Sequence, residues 1–216
     1  LGGVLVLQAA LAMWLGLPGQ LSVDSIVQLY EGRTQQTISF NPPLMSVLLG
    51  FLDRLGSGPI GFVLISQAML SAATWIAIRP SSRTSLSRFL LVTLCVLNPV
   101  VLIYTGIIWK DVLLAHAAVL LFYLLHDWKA RSIEIGWGRI AFAFLLLTVV
   151  FGARQQGVLF VAAAAVCLAT LTPYSRFFKM WLALMLAVLP GLANQWVTQS
   201  IQAPMPGVVK GVTVGF

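Results

Sequence analysis

The sequence has few charged residues and little that suits metal or redox chemistry. Only 9% of its 216 residues are Asp, Glu, Lys or Arg, whereas soluble domains carry roughly 25%. This scarcity excludes an ordinary soluble enzyme, and the hydrophobic content of 59% excludes a disordered chain. The two cysteines, Cys95 and Cys167, lie deep in apolar runs. We interpret them as small buried hydrophobic side chains rather than as a disulfide or a metal site.

Several other features are missing as well. The sequence has no His, Cys or carboxylate cluster at metal-ligand spacing, no glycine-rich phosphate loop, no internal repeat and no signal-peptide pattern. The net charge of +7 does not point to nucleic acid, because an excess of Lys and Arg in such an apolar chain usually reports membrane topology. The centres of the spans proposed below have almost no ionisable residues except His116, which we interpret as a hydrogen-bonded core histidine.

Long apolar segments dominate what remains, and the mean hydropathy is +0.95. A membrane helix needs about 20 mainly apolar residues. The pattern predicts an all-α, multi-pass membrane protein with about seven spans, at residues 1–17, 60–78, 89–107, 111–126, 140–153, 157–172 and 180–197. We expect one transmembrane module over residues 1–197, with an outer loop at 18–59, and a truncated outer segment at 198–216.

The distribution of cations gives the orientation. If the first span runs outward, the loops 79–88, 127–139 and 173–179 hold eight of the 13 Lys and Arg residues. The positive-inside rule then places these loops in the cytoplasm. Four of the six acidic residues fall on the other side, and we expect any chemistry to take place there.

The outer loop contains two predicted short helices. The first covers about residues 23–31, with Ser22 as its N-cap. Asp24, Gln28 and Glu31 lie four and three residues apart, so this helix brings them to one face. Asp24 is the leading functional candidate, with Gln28 and Glu31 beside it. The alternative is a solvated carboxylate that favours a helix N-terminus.

The second short helix begins at Asn41-Pro42-Pro43, since Asn is a good cap and Pro is tolerated in the first turn. It continues over residues 44–55. Fourteen residues reach only about 21 Å, so we interpret this segment as a helix lying in the membrane interface.

Two more polar groups lie at the same predicted membrane face. Lys110 and Asp111 stand between spans three and four, and Arg154 and Gln155 stand between spans five and six. The guanidinium of Arg offers a fixed fork of donors that suits a phosphate group. The alternatives are a snorkelling Lys110, an Asp111 that caps the next span, and an ordinary polar turn at Arg154.

These residues resemble the integral-membrane GT-C glycosyltransferases, which include protein mannosyltransferases and aminoarabinose transferases (glycosyltransferase family 39-like). That superfamily has an acid in the first outer loop, a His-Pro-Pro-Leu-like helix start, an acid opening span four and a basic residue in a later turn. Here these positions are Asp24, Asn41-Pro42-Pro43-Leu44, Asp111 and Arg154. Two positions differ from the family pattern, because Asn41 replaces His and Ser25 follows Asp24 in place of a second acid.

The resemblance implies transfer of a sugar from a polyprenyl-phosphate carrier to an acceptor hydroxyl, with inversion, at the outer face of a bacterial plasma membrane. Asp24 would be the base and Arg154 the phosphate ligand. Substrate contacts would come from Lys110, Asp111, Glu31, Gln28, Gln155 and Asn41. The expected partners are the lipid-linked sugar, membrane lipid and an acceptor that is a protein, a lipid or a glycan, with no nucleic acid.

No cofactor is implied beyond the lipid-linked donor, and the residues do not indicate a divalent metal. The rival hypotheses are a transporter or flippase of a lipid-linked sugar and a non-catalytic membrane subunit. A transporter usually places its polar site near the bilayer midplane.

Overall fold

Helices make up most of the computed structural model, which describes residues 2–36, 42–78, 86–154 and 156–201. In chain order the helices are α1 Gly2–Gly16, α2 Val23–Thr34, α3 Leu44–Arg54, α4 Gly58–Ile78, α5 Leu86–Val96, α6 Pro99–Gly106, α7 Lys110–Ala130, α8 Trp137–Ala153, α9 Gly157–Thr170 and α10 Arg176–Ile201. Two-residue strands, β1 Gln20–Leu21 and β2 Ile107–Ile108, pair in parallel. The predicted all-α fold class is confirmed.

Three helices are long and apolar enough to cross a membrane within the described residues. They are α4, α7 and the Arg176–Gln199 part of α10. Helices α1, α8 and α9 are also apolar but contain only 14 to 17 residues. Since about 20 residues are needed for a full crossing, the structure supports fewer complete spans than the sequence pattern predicts.

The predicted span at 89–107 is wrong as a single helix. The chain forms α5, leaves the helical conformation at Asn98, and starts α6 at Pro99. Proline lacks the N–H that an interior helical position needs, and it disfavours the helical conformation in the residue before it. The side chain of Asn98 caps α6 by accepting a hydrogen bond from Val100 N at 2.9 Å.

The two short helices predicted between residues 18 and 59 are present as α2 and α3. α3 begins at Leu44, with Pro43 as its N-cap, and so starts later than the predicted start at Asn41-Pro42-Pro43. The two helices pack against each other, and α3 also packs against α4. Gly32 and Gly50 lie where α2 and α3 cross, so close that a Cβ on Gly32 would stand 2.7 Å from Gly50 N. Ser46 and Gly50 belong to the polar side of α3 but are buried in this contact. α3 is therefore an integral part of the packed structure.

The main core lies between α7, α8, α9 and α10, with side chains such as Leu121, Leu147 and Leu168 almost fully buried. A second, smaller core joins α2, α3, α4 and the start of α7. The interpretation of Cys95 and Cys167 as buried was wrong. Both thiols are free, but they lie on exposed faces of α5 and α9. An apolar side chain can point outward when the surrounding medium is lipid, so hydropathy alone did not separate the two cases.

Candidate functional site

The start of α2 is fixed by its cap and by the strand that precedes α7. Ser22 is the N-cap, as predicted, and its Oγ accepts a hydrogen bond from Ser25 N at 3.2 Å. The hydroxyl of Ser25 donates to the backbone oxygen of Ile108. Because Ile108 lies in β2 and pairs with Leu21 in β1, the first turn of α2 is held beside the first turn of α7.

This arrangement brings four charged side chains to one end of the long helices. Lys110 Nζ lies 4.0 Å from Asp24 Oδ2, and Arg154 Nε lies 3.2 Å from Asp111 Oδ1. Lys110 and Asp111 are neighbours at the start of α7, so the two ion pairs adjoin each other. We call Asp24, Lys110, Asp111 and Arg154 the charged row. They come from three separate stretches of the sequence, and the fold brings them together.

The members of the charged row differ in their access to solvent. The side chain of Asp24 is 55% exposed and that of Arg154 is 51% exposed, whereas Lys110 is 16% exposed. Each ion pair therefore has at least one side chain that an incoming ligand can reach. Such exposed pairs contribute little to stability, typically 0–1 kcal/mol, so exchanging a carboxylate partner for a phosphate would cost the fold little.

Asp111 and Arg154 each lie at the end of a helix, and this fixes their positions. Asp111 lies in the first turn of α7, where a negative charge interacts favourably with the helix dipole. Among the described residues its Oδ1 accepts no hydrogen bond, although Arg154 lies beside it. Arg154 follows the last residue of α8 and has an extended backbone. A Cβ on Gly157 would lie 3.1 Å from the carbonyl carbon of Val150, so this glycine keeps the turn tight.

Gln28 and Glu31 are located differently from Asp24. Both are only 1% exposed. Ser46 Oγ of α3 donates a hydrogen bond to Glu31 Oε2 at 2.6 Å, so Glu31 belongs to the α2–α3 contact. Gln28 Nε2 is buried and has no hydrogen-bond partner among the described residues. The polar face of α2 therefore divides into an exposed carboxylate and a buried pair.

Two of the predicted substrate-binding residues, Asn41 and Gln155, lie outside the described residues. His116 behaves as predicted for a core histidine, because its Nδ1 lies 2.6 Å from Ser66 Oγ within the α4–α7 contact. In the described part of the chain, no group of three His, Cys, Asp or Glu side chains is arranged to hold a metal ion.

The sequence analysis missed a further ion pair, which joins α2 to α3. Arg33 of α2 binds Asp53 of α3 with two hydrogen bonds, Nε to Oδ2 and a terminal nitrogen to Oδ1, each 2.7 Å long. Hydrogen bonding to Arg33 lowers the pKa of the Asp53 carboxyl, and the same bond raises the pKa of Arg33. The pair joins the ends of α2 and α3. The sequence signal that could have indicated it was an arginine on one predicted short helix and a carboxylate on the other.

Comparisons of the chain with models of protein families, with curated proteins and with solved structures found no match.

Proposed function

We propose that this protein is a membrane glycosyltransferase that moves a sugar from a polyprenyl-phosphate carrier to an acceptor hydroxyl. The observation that carries the proposal is the charged row. It combines an exposed carboxylate, Asp24, with two cations, Lys110 and Arg154, at one end of the long apolar helices. A lipid-linked sugar phosphate presents its reacting bond at this depth, where the lipid tail ends and water begins.

The chemistry needs few groups. The acceptor oxygen forms a bond to the anomeric carbon while the bond from that carbon to the phosphate oxygen breaks, and the hydroxyl proton goes to Asp24. A glycosidase needs a second carboxyl group to protonate its leaving group. A phosphate leaves as a stable anion, so one base and nearby cations are sufficient. Positioned base catalysis typically contributes 10²–10⁴-fold.

In this proposal Arg154 and Lys110 stabilise the leaving phosphate. The guanidinium fork of Arg154 matches two phosphate oxygens, and it would exchange its contact with Asp111 for them. Asp111 then serves to hold Arg154 in place when no donor is bound. Gln28 and Glu31 would support the helix that presents Asp24, and Asn41 and Gln155 stay predicted substrate contacts.

The same proposal includes the finer membrane arrangement. We propose that α1, α8, α9 and the α5–α6 pair complete a seven-segment bundle together with the three long helices. The charged row would face the outside of a bacterial plasma membrane. The bias of Lys and Arg toward the opposite loops supports this orientation.

The transporter alternative has less support. Gln8 and Gln67 pair through reciprocal amide hydrogen bonds of 3.2 and 2.8 Å, and His116 is bonded to Ser66. These buried polar groups satisfy one another, whereas a substrate pathway through the midplane needs polar groups that face a cavity.

The test is transfer of labelled sugar from polyprenyl phosphate to a non-carrier product in membranes that contain the protein. Asp24→Asn should lower the rate by about 10²–10⁴-fold, as expected for loss of a positioned base. Arg154→Ala should also lower it strongly, while Arg54→Ala should not. Arg54 is a matched control because it is an exposed arginine at the end of α3, outside the charged row.

Protein levels and melting temperature in detergent are measured for each variant, so that loss of folding is recognised. Wild-type rates in Asp24→Asn would remove Asp24 from the mechanism. No transfer by the wild-type protein, together with movement of the labelled carrier between leaflets, would favour the transporter instead.

A further inference from the structure

A second polar site lies at the other end of the molecule, away from the charged row. A cavity of about 320 Å³ opens between the C-terminal end of α7, the turn after it and the end of α9. Its lining includes Lys129, Ser132, Glu134 and Thr170. The volume falls within the roughly 300–1,000 Å³ typical of small-molecule sites.

The charges of the cavity are mixed. Lys129 and Glu134 both line it, and within the described part of the chain neither side chain forms a hydrogen bond or an ion pair. A second ammonium lies next to the lining: Lys179 is not a lining residue, but its Nζ donates to the backbone oxygen of Thr170, which is one, at 3.2 Å. A ligand that fits must therefore offer a negative group to the lysines and a positive group to the carboxylate.

The neighbouring arginines are already engaged and do not add to the positive charge available. Arg131 Nε lies 2.6 Å from Asp127 Oδ1, and Arg139 donates to the backbone oxygen of Glu134 at 2.7 Å. The second contact holds the Glu134 backbone and leaves its carboxylate at the cavity. The cavity also adjoins the C-terminal ends of α7 and α9, whose partial negative charge favours a cation.

The depth of the cavity points to a lipid rather than to a soluble ligand. Helix α7 has 21 residues, and at about 1.5 Å per residue it covers roughly the 30 Å of a hydrocarbon core. With Lys110 at one boundary, Lys129 lies at the other, at the level of lipid headgroups. Trp137, Tyr174 and Phe178 stack at this same end, with ring centres 4.5–6.3 Å apart. Aromatic side chains are enriched at such interfaces.

We infer that this cavity binds the headgroup of a phospholipid that carries a primary ammonium next to its phosphate, as phosphatidylethanolamine does. The phosphate contacts Lys129 and Lys179, and the ammonium contacts the Glu134 carboxylate. The acyl chains extend along the apolar outer surface of α10, where Trp181 is 49% exposed. This inference requires the membrane placement but not the proposed transfer reaction.

The test is lipid retention by the detergent-solubilised protein, measured by native mass spectrometry with phosphatidylethanolamine, phosphatidylglycerol and phosphatidylcholine. The wild-type protein should retain phosphatidylethanolamine best. Lys129→Met should weaken retention of all three lipids by about tenfold or more, the factor expected for one charge-assisted hydrogen bond. Glu134→Gln should weaken only phosphatidylethanolamine and bring it level with the other two.

Arg176→Met is the matched control, because Arg176 is an exposed cation at the start of α10 outside the cavity lining. It should retain lipids as the wild type does. Equal retention of the three lipids by the wild type, or a loss in Arg176→Met as large as that in Lys129→Met, would overturn the inference. So would a preference for phosphatidylglycerol, or competition by free glycerophosphoethanolamine at the same concentration as the lipid. If Lys129→Met does not fold, the selectivity change in Glu134→Gln decides the question.

Discussion

The contact between Gly32 and Gly50 makes a sharp prediction about the helix that carries Asp24. In Gly32→Ala, the added Cβ would stand 2.7 Å from Gly50 N and 2.8 Å from Gly50 Cα. Both atoms are backbone and cannot rotate away, so α2 and α3 must separate. Overpacking typically costs about 1–3 kcal/mol. We expect a cost near the upper end of this range, because no flexible side chain can move aside to make room for the added Cβ.

Replacing glycine by alanine inside a helix also returns up to about 1 kcal/mol of helix propensity. The expected net loss in the free energy of unfolding is therefore about 2 kcal/mol. For a chain of 150–250 residues, 1 kcal/mol corresponds to about 2–4 °C in melting temperature. Gly32→Ala should melt about 4–8 °C below the wild type in the same detergent.

The assay is thermal unfolding of the purified protein, followed by circular dichroism or by aggregation. Gly138→Ala is the matched control, because Gly138 lies in α8 and its added Cβ would meet nothing within 4 Å. It should melt at or slightly above the wild-type temperature. If Gly32→Ala melts together with Gly138→Ala, then α2 and α3 do not cross at these glycines, and the position of Asp24 loses its support.

Two further predictions concern polar pairs. Gln8→Leu and Gln67→Leu should each lower the stability of the protein, because each leaves a buried amide without its partner. In a thermal double-mutant cycle the double variant should lose less stability than the sum of the two, with a coupling of roughly 0.6–1.7 kcal/mol. Strictly additive losses would argue against the reciprocal pair. Because Arg33 lowers the pKa of Asp53 below its ordinary value of 3.8, this pair should stabilise the fold above about pH 4 and lose that effect as the pH falls through the lowered value. The difference in melting temperature between wild type and Asp53→Asn should accordingly shrink between pH 6 and pH 3, and a constant difference would contradict the assigned ion pair.

Local features of the fold could be predicted from the sequence. The cap at Ser22 and the short helix behind it depend on neighbouring residues, and both are present. The division of the third predicted span at Pro99 was also accessible, because proline cannot continue an interior helix. The hydropathy of residues 89–107 did not indicate this break, because a break between two apolar helices leaves the mean hydropathy high.

Contacts between distant segments could not be predicted in the same way. The pairing of β1 with β2 involves only two residues in each strand, and the bond from Ser25 to Ile108 joins residues 83 positions apart. Helical periodicity tells which residues share a face, but not which face meets which neighbour. For this reason the spacing predicted one shared face of α2 for Asp24, Gln28 and Glu31, but it did not predict that Gln28 and Glu31 are buried while Asp24 is exposed.

Exposure and pairing give the acids at this end different roles within the proposed reaction. Glu31 is 1% exposed and accepts a hydrogen bond from Ser46, so an acceptor sugar cannot reach it without separating α2 from α3. Asp111 is less exposed than Asp24, at 35% against 55%, and it lies beside Arg154, so it is placed to hold that guanidinium near the donor phosphate. Asp24 is the exposed acid, and its contact with Lys110 is long, at 4.0 Å. A donor phosphate that drew Lys110 toward itself would leave the Asp24 carboxylate free to accept the proton of the attacking hydroxyl. Binding of the donor would thus prepare the base for the reaction that follows.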